Sequence, residues 1–157
     1  YYKLIYNRES TQYNTYLHRD GWLEVNVNMK DSAYITRHVK MKIEEYKKDF
    51  LPKYRMSHKR LEYLSKTIVE LRKHGDVFLV RLPVHPEMMA IEDSLMPDFN
   101  ARILKISTDQ IGYYDMTALN EKFQFTDGNH LYKDSGIAVS LLIAEWMKTG
   151  NKRIASY

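Results

Sequence analysis

The chain has 157 residues and a mass of 18.7 kDa, enough for one domain or the larger part of one. An apolar share of 44% beside 28% charged residues excludes a disordered segment, and the lack of any cysteine excludes a disulfide framework, a thiolate metal site and a cysteine nucleophile. The net charge of +4 is concentrated in residues 37–60, where nine Lys or Arg face only Glu44, Glu45 and Asp49; with no nucleic-acid motif beside it, this reads as a solvated helix face and not as a nucleic-acid site.

No apolar run reaches the length of a membrane span. The first residues, Tyr1-Tyr2-Lys3-Leu4-Ile5-Tyr6, are not a signal peptide, and without a starting Met the chain reads as a processed or excised piece. Residues 1–36 are rich in Tyr and in turn formers. Within them, Leu23, Val25, Val27 and Met29 alternate with Trp22, Glu24, Asn26 and Asn28, which predicts a half-buried strand over 22–29 preceded by a turn at Asp20-Gly21. Residues 37–74 read as two helices. Val39, Ile43, Tyr46 and Phe50 form the apolar stripe of the first, with Pro52 just beyond it. Ser57 caps the second, whose stripe is Leu61, Leu64, Ile68 and Leu71, with Gly75 past its end.

From residue 77 the pattern changes. Val77 to Leu82 is a nearly unbroken apolar run, as expected of a strand covered on both faces, and Pro83-Val84-His85-Pro86 stops it. Residues 87–107 predict helix with a restart at Pro97, and Ile111-Gly112-Tyr113-Tyr114 a second strand. Residues 134–148 predict a last helix, apolar almost all round and therefore buried. Strand, helix, strand, helix with short joints implies an α/β fold with a parallel sheet and helices on both faces, one domain or part-domain over 1–157.

In such sheets reactive groups gather beyond the carboxyl ends of the strands. Two stretches qualify, Arg81 to Glu87 and the segment Thr126-Asp127-Gly128-Asn129-His130-Leu131. Asp127 and His130 are spaced so that a carboxylate can reach Nδ1 of the imidazole, fix its tautomer and leave Nε2 as a base, the arrangement that activates a hydroxyl for acyl transfer. A helix cap with an exposed His is the competing reading of the same spacing.

Asp127-Gly128-Asn129-His130-Leu131, followed by Gly136 and the run Ile137 to Leu142, resembles the closing block of SGNH (GDSL-type) hydrolases and O-acyltransferases, and Leu79-Val80-Arg81-Leu82-Pro83-Val84 resembles their penultimate strand. The resemblance covers about residues 57–148. It implies a flavodoxin-like three-layer parallel sheet, incomplete here at its amino-terminal side, and an enzyme that cleaves or transfers acyl esters, many of them acetyl groups on carbohydrates. It implies Asp127 as the group that orients His130, His130 as the general base of a Ser nucleophile, and a place in the cell envelope or periplasm; no cofactor is expected. The family's Gly-Asp-Ser-like block and its Gly and Asn oxyanion blocks are not visible in this chain. The nucleophile then lies upstream in a larger hydrolase, or the chain is a degenerate relative. A missing amino-terminal segment or a homodimer is the expected partner, because a parallel sheet without its first strands exposes apolar faces.

His85 and Arg81 are the weaker substrate-binding candidates, the first at the rim of the strand and the second an interruption of an apolar run that burial obliges to be paired. The remaining histidines show no ligand spacing, so no metal is expected, and no Gly-rich phosphate loop points to a nucleotide. The alternative from another class is a non-catalytic domain that binds carbohydrate or a protein partner through Tyr1 to Tyr63 and Trp22. The eight Met read as core filler.

Overall fold

A computed structural model describes residues 15–17, 19, 21, 23–25, 27–107, 111–149 and 153–154. The fold is mixed α/β and mostly helical. Strands β1 (Thr15–Leu17) and β2 (Leu23–Val25) form an antiparallel hairpin. Gly21, in the turn between them, has φ +91°, a conformation that only glycine takes at no steric cost. The predicted strand over 22–29 is thus cut to Leu23–Val25, with Trp22 and Asn26 outside the described residues. Turn chemistry outweighs the alternating pattern here. The Asn28 side chain accepts from the Lys30 N–H (3.1 Å), its carbonyl accepts from Asp31 N–H (3.1 Å), and Asp31 in turn caps a helix by accepting from Tyr34 N–H (2.9 Å).

That helix, α1 (Ser32–Glu45), starts five residues before the predicted boundary and runs into a π-helical turn, Tyr46–Phe50. Tyr46, Phe50 and Tyr54 pack in sequence as tilted ring pairs, with centroids 4.9 and 5.3 Å apart. The second helix, α2 (His58–Leu71), has the predicted Ser57 cap, whose hydroxyl accepts from Arg60 N–H at 3.3 Å. Strand β3 (Val77–Arg81) leads to α3 (Pro86–Leu95), where Pro86 fills the first turn, and then α4 (Phe99–Ile106). The helical restart is thus at Phe99, two residues past Pro97. Strand β4 (Ile111–Asp115), a 3₁₀ segment Thr117–Lys122, α5 (Lys133–Lys148) and β5 (Arg153–Ile154) complete the described chain.

The sheet order is β3-β4-β5, all parallel, with Val77 opposite Ile111 and Arg81 opposite Asp115. Helices lie on opposite faces. Trp146 of α5 meets Phe78 and Tyr114 (centroids 5.4 and 5.3 Å), while the Tyr113 hydroxyl donates to Asn100 of α4 on the other face (2.7 Å). A separate apolar cluster, Val39, Ile43, Met88 and Ile91, fastens α1 to α3.

Two burial expectations are corrected. β3 is only half-buried throughout, because among the described residues it pairs with β4 alone and forms the sheet edge, whereas β4 is buried at all but Tyr114. α5 is not buried all round. It sinks Val139 and Trp146 but leaves Ile137 56% and Leu141 66% exposed, since a three-stranded sheet covers only one stripe of a helix. The methionines divide likewise: Met88 and Met116 are core, Met41 and Met147 are exposed.

Beyond the ends of β3 and β4 a polar network joins the two strands to α4. The Asn100 carbonyl oxygen accepts from Tyr113 and from Arg81 (3.2 Å), its amide donates to Asp115, and Asp115 accepts from both the N–H and the hydroxyl of Thr117 (3.0 and 2.7 Å). Burial, and then the nearby Asp115 carboxylate, push the Tyr113 phenol well above its usual range, so it remains a donor. Asn100→Leu is expected to lower unfolding stability by about 2–3 kcal/mol in urea denaturation, because the buried Tyr113 and Asp115 lose a shared partner together.

Candidate functional site

Residues 124–132 fold back on themselves. Phe125 and Leu131 form an isolated antiparallel bridge, Tyr132 N–H donates to the Gln124 carbonyl (2.8 Å) and Thr126 N–H to the His130 carbonyl (2.9 Å). The tip of this turn carries Asp127 and His130. One carboxylate oxygen, Oδ1, accepts from the backbone N–H of Asn129 (3.0 Å) and of His130 (2.9 Å), while Nδ1 of the His130 ring lies 2.9 Å from Oδ2 and 3.1 Å from Oδ1. Asp127 therefore caps its own turn and holds the imidazole at once. Burial works to raise its pKa, but the imidazole hydrogen bond and the two backbone N–H donors outweigh it and bring the carboxyl below its ordinary value. An ionised carboxylate at Nδ1 requires the ring proton there, which leaves Nε2 with its lone pair free. The His130 side chain is 69% exposed against 25% for Asp127, so the imidazole faces solvent from a sheltered carboxylate.

The turn is seated on the helices. Gly128 is buried, and its carbonyl accepts from His85 N–H at 3.1 Å. A Cβ at this position would stand 2.8 Å from the Met88 methyl and 3.5 Å from Ile43 Cδ1, so close approach, not backbone twist, calls for glycine. The next residue, Asn129, donates from its side-chain amide to the Tyr46 hydroxyl (3.1 Å), and its Oδ1 is buried without a partner. Val84 N–H, in the facing loop, donates to the buried Asn120 side chain (3.0 Å).

Of the residues singled out by sequence, Asp127 and His130 share this turn, and His85 joins it through its backbone N–H to the Gly128 carbonyl. His85 caps α3, its Nδ1 accepting from Glu87 N–H (3.3 Å), so its proton sits on Nε2, opposite to His130. Its ring meets Phe125 edge-on at 6.1 Å. Arg81 belongs to the other cluster: 9% exposed, it faces Glu92 and Asp93 (3.5 Å each), Asn100 and the Phe99 ring (4.3 Å), which accounts for its charge without a substrate. Ser65 and Ser94 donate to carbonyls of their own helices, Ser135 accepts from Gln124 N–H, and among the described residues no hydroxyl is hydrogen-bonded to the His130 ring. Ser10 and Ser156, and Tyr1, Tyr2, Tyr6 and Tyr13 of the aromatic segment, lie outside the described residues. No group of three metal-ligating side chains occurs among the described residues. No helix is long and apolar enough to cross a membrane, among the described residues. Sequence reasoning missed Tyr46, Asn100, Asn120 and Asn129 as positioning groups. No protein-family model matches the chain, nor does any curated protein or solved structure.

Two outcomes follow from this geometry. The lowered carboxyl of Asp127 adds stability that is present above the ordinary carboxylate range and is lost as pH falls through its folded value. Denaturation midpoints of wild type and Asp127→Asn should therefore differ at pH 7 and converge below roughly pH 4. Tyr46→Phe removes the Asn129 anchor while keeping the ring, and the amides of Asn129 and His130 should exchange with deuterium roughly two- to twelvefold faster, the equivalent of about 0.5–1.5 kcal/mol of local opening.

Proposed function

We propose that this chain carries the acid–base half of an SGNH-type ester hydrolase or O-acyltransferase, with His130 as general base and Asp127 as the group that orients and stabilises it. The observation that supports this reading most is the Asp127–Nδ1 contact of 2.9 Å, with no hydrogen bond to Nε2 among the described residues and the ring exposed, beside the loop that follows β3. A turn that merely capped a helix would use the carboxylate on backbone N–H groups alone. On this reading the fold is the carboxyl-terminal part of a flavodoxin-like sheet. Among the described residues β3 pairs on one side only, and on this reading further strands add at its other edge.

The reaction needs a Ser hydroxyl from outside the described residues. Nε2 of His130 takes the hydroxyl proton as Oγ bonds to the ester carbonyl carbon, and the imidazolium is stabilised by Asp127. Collapse of the tetrahedral intermediate breaks the bond to the alkoxy oxygen, which leaves with the proton from Nε2. Water or an acceptor alcohol then repeats the cycle on the acyl-serine: its proton passes to Nε2, its oxygen takes the acyl group, and Ser recovers its proton.

The test is made on the full-length protein with a fluorophosphonate that labels activated serines, and with p-nitrophenyl acetate. One labelled Ser, located by mass spectrometry, is expected. His130→Ala should abolish labelling and lower turnover about 10³-fold or more with the fold intact, and Asp127→Asn should cost less. No labelling together with no ester hydrolysis would leave the chain a non-catalytic binding domain.

A further inference from the structure

A groove of about 640 Å³ runs along α1 beside the Asp127–His130 turn. Its floor is apolar, formed by the buried Val39, Ile43 and Phe125 with Ile35 alongside, and its rim carries the exposed Lys40, Glu44, Lys47 and Glu87. The volume lies within the range of small-molecule sites, which spans about 300–1,000 Å³. Three contacts tie it to the proposed site. His85 lines the groove, and its N–H donates to the Gly128 carbonyl (3.1 Å). Phe125, also in the wall, is paired with Leu131 across the base of the turn. Ile43 faces the groove and also touches the place where a Gly128 Cβ would be. One helix thus supplies both the groove wall and the seat of the base.

We propose that this groove holds the acyl part of the substrate and that the acyl part is a hydrocarbon chain, not an acetyl group. That the bound group is an acyl group rests on the hydrolase reading; that it is an apolar chain rests on the groove. The methyl of an acetyl group is about the size of one water molecule, ~30 Å³, and would leave nearly all of this space unused. An apolar floor under a charged rim matches an amphiphile whose tail is buried and whose polar end stays at the mouth. Each buried methylene raises affinity by up to about fourfold, so a groove of this kind discriminates by chain length.

The test uses acetate, hexanoate and decanoate, each titrated into the protein by calorimetry below its micellar range. Affinity is expected to rise steeply from acetate to decanoate. Thr36→Trp and Lys40→Trp place an indole in the groove from exposed positions outside the core, and each should weaken decanoate about tenfold or more. Glu62→Trp, on the exposed face of α2, should not. Equal affinity for acetate and decanoate, no decanoate binding at all, or decanoate binding untouched by both groove variants would overturn the proposal. Its failure is separable from that of the hydrolase reading, because fluorophosphonate labelling needs only the Ser and His130, and fatty-acid binding needs neither.

Discussion

The Asp127 carboxylate is the constraint around which the site is organised. Its two oxygens receive three N–H groups, two from the backbone of its own turn and one from the His130 ring. The same charge therefore sets the chain path and the imidazole orientation, and neither can change without the other. Its partial burial is compensated by these donors, as a sheltered ionised group requires. The turn has no room to shift as a body either, because Gly128 fits against Met88 and Ile43 with no space for a side chain.

Two polar clusters stand beyond the strand ends, and they differ in what they leave open. In the Arg81, Asn100 and Asp115 cluster the carboxylates meet a guanidinium, an amide and a hydroxyl, and the half-buried Asn100 amide is used at both ends. Such closure favours a single arrangement of β3, β4 and α4 over any reactivity. Among the described residues, the Asp127 and His130 cluster closes only one side of the imidazole, and the ring stands largely exposed. An uncommitted nitrogen on a fixed ring is what proton transfer needs.

Much of this architecture was legible because it is local. The Ser57 cap, the β3 and β4 runs, the last helix and the acid–imidazole spacing each depend on residues within a few positions of one another. The failures have a different origin. The strand pattern at Val27 and Met29 was overruled by Asn28 and Asp31, whose side chains satisfy backbone N–H groups and turn the chain. Burial of α5 and β3 was overestimated because a run of apolar residues shows what could be covered, not how many strands are there to cover it. Asn100 and Asn129 carry no sequence signal at all: an amide becomes important only when tertiary packing brings distant partners to it, as Tyr46 is brought to Asn129 across 83 positions.

Asp127 and His130 sit three positions apart on one turn, and this has a kinetic meaning. Closing so short a loop costs little chain entropy, so the contact can form as early as the turn itself and needs no long-range search. Docking that turn onto Met88, Ile43 and Tyr46 must await the collapse of α1 against α3, segments about forty residues apart. The pairing of carboxylate and imidazole is thereby separated in time from its placement, and slow steps in folding fall on the second.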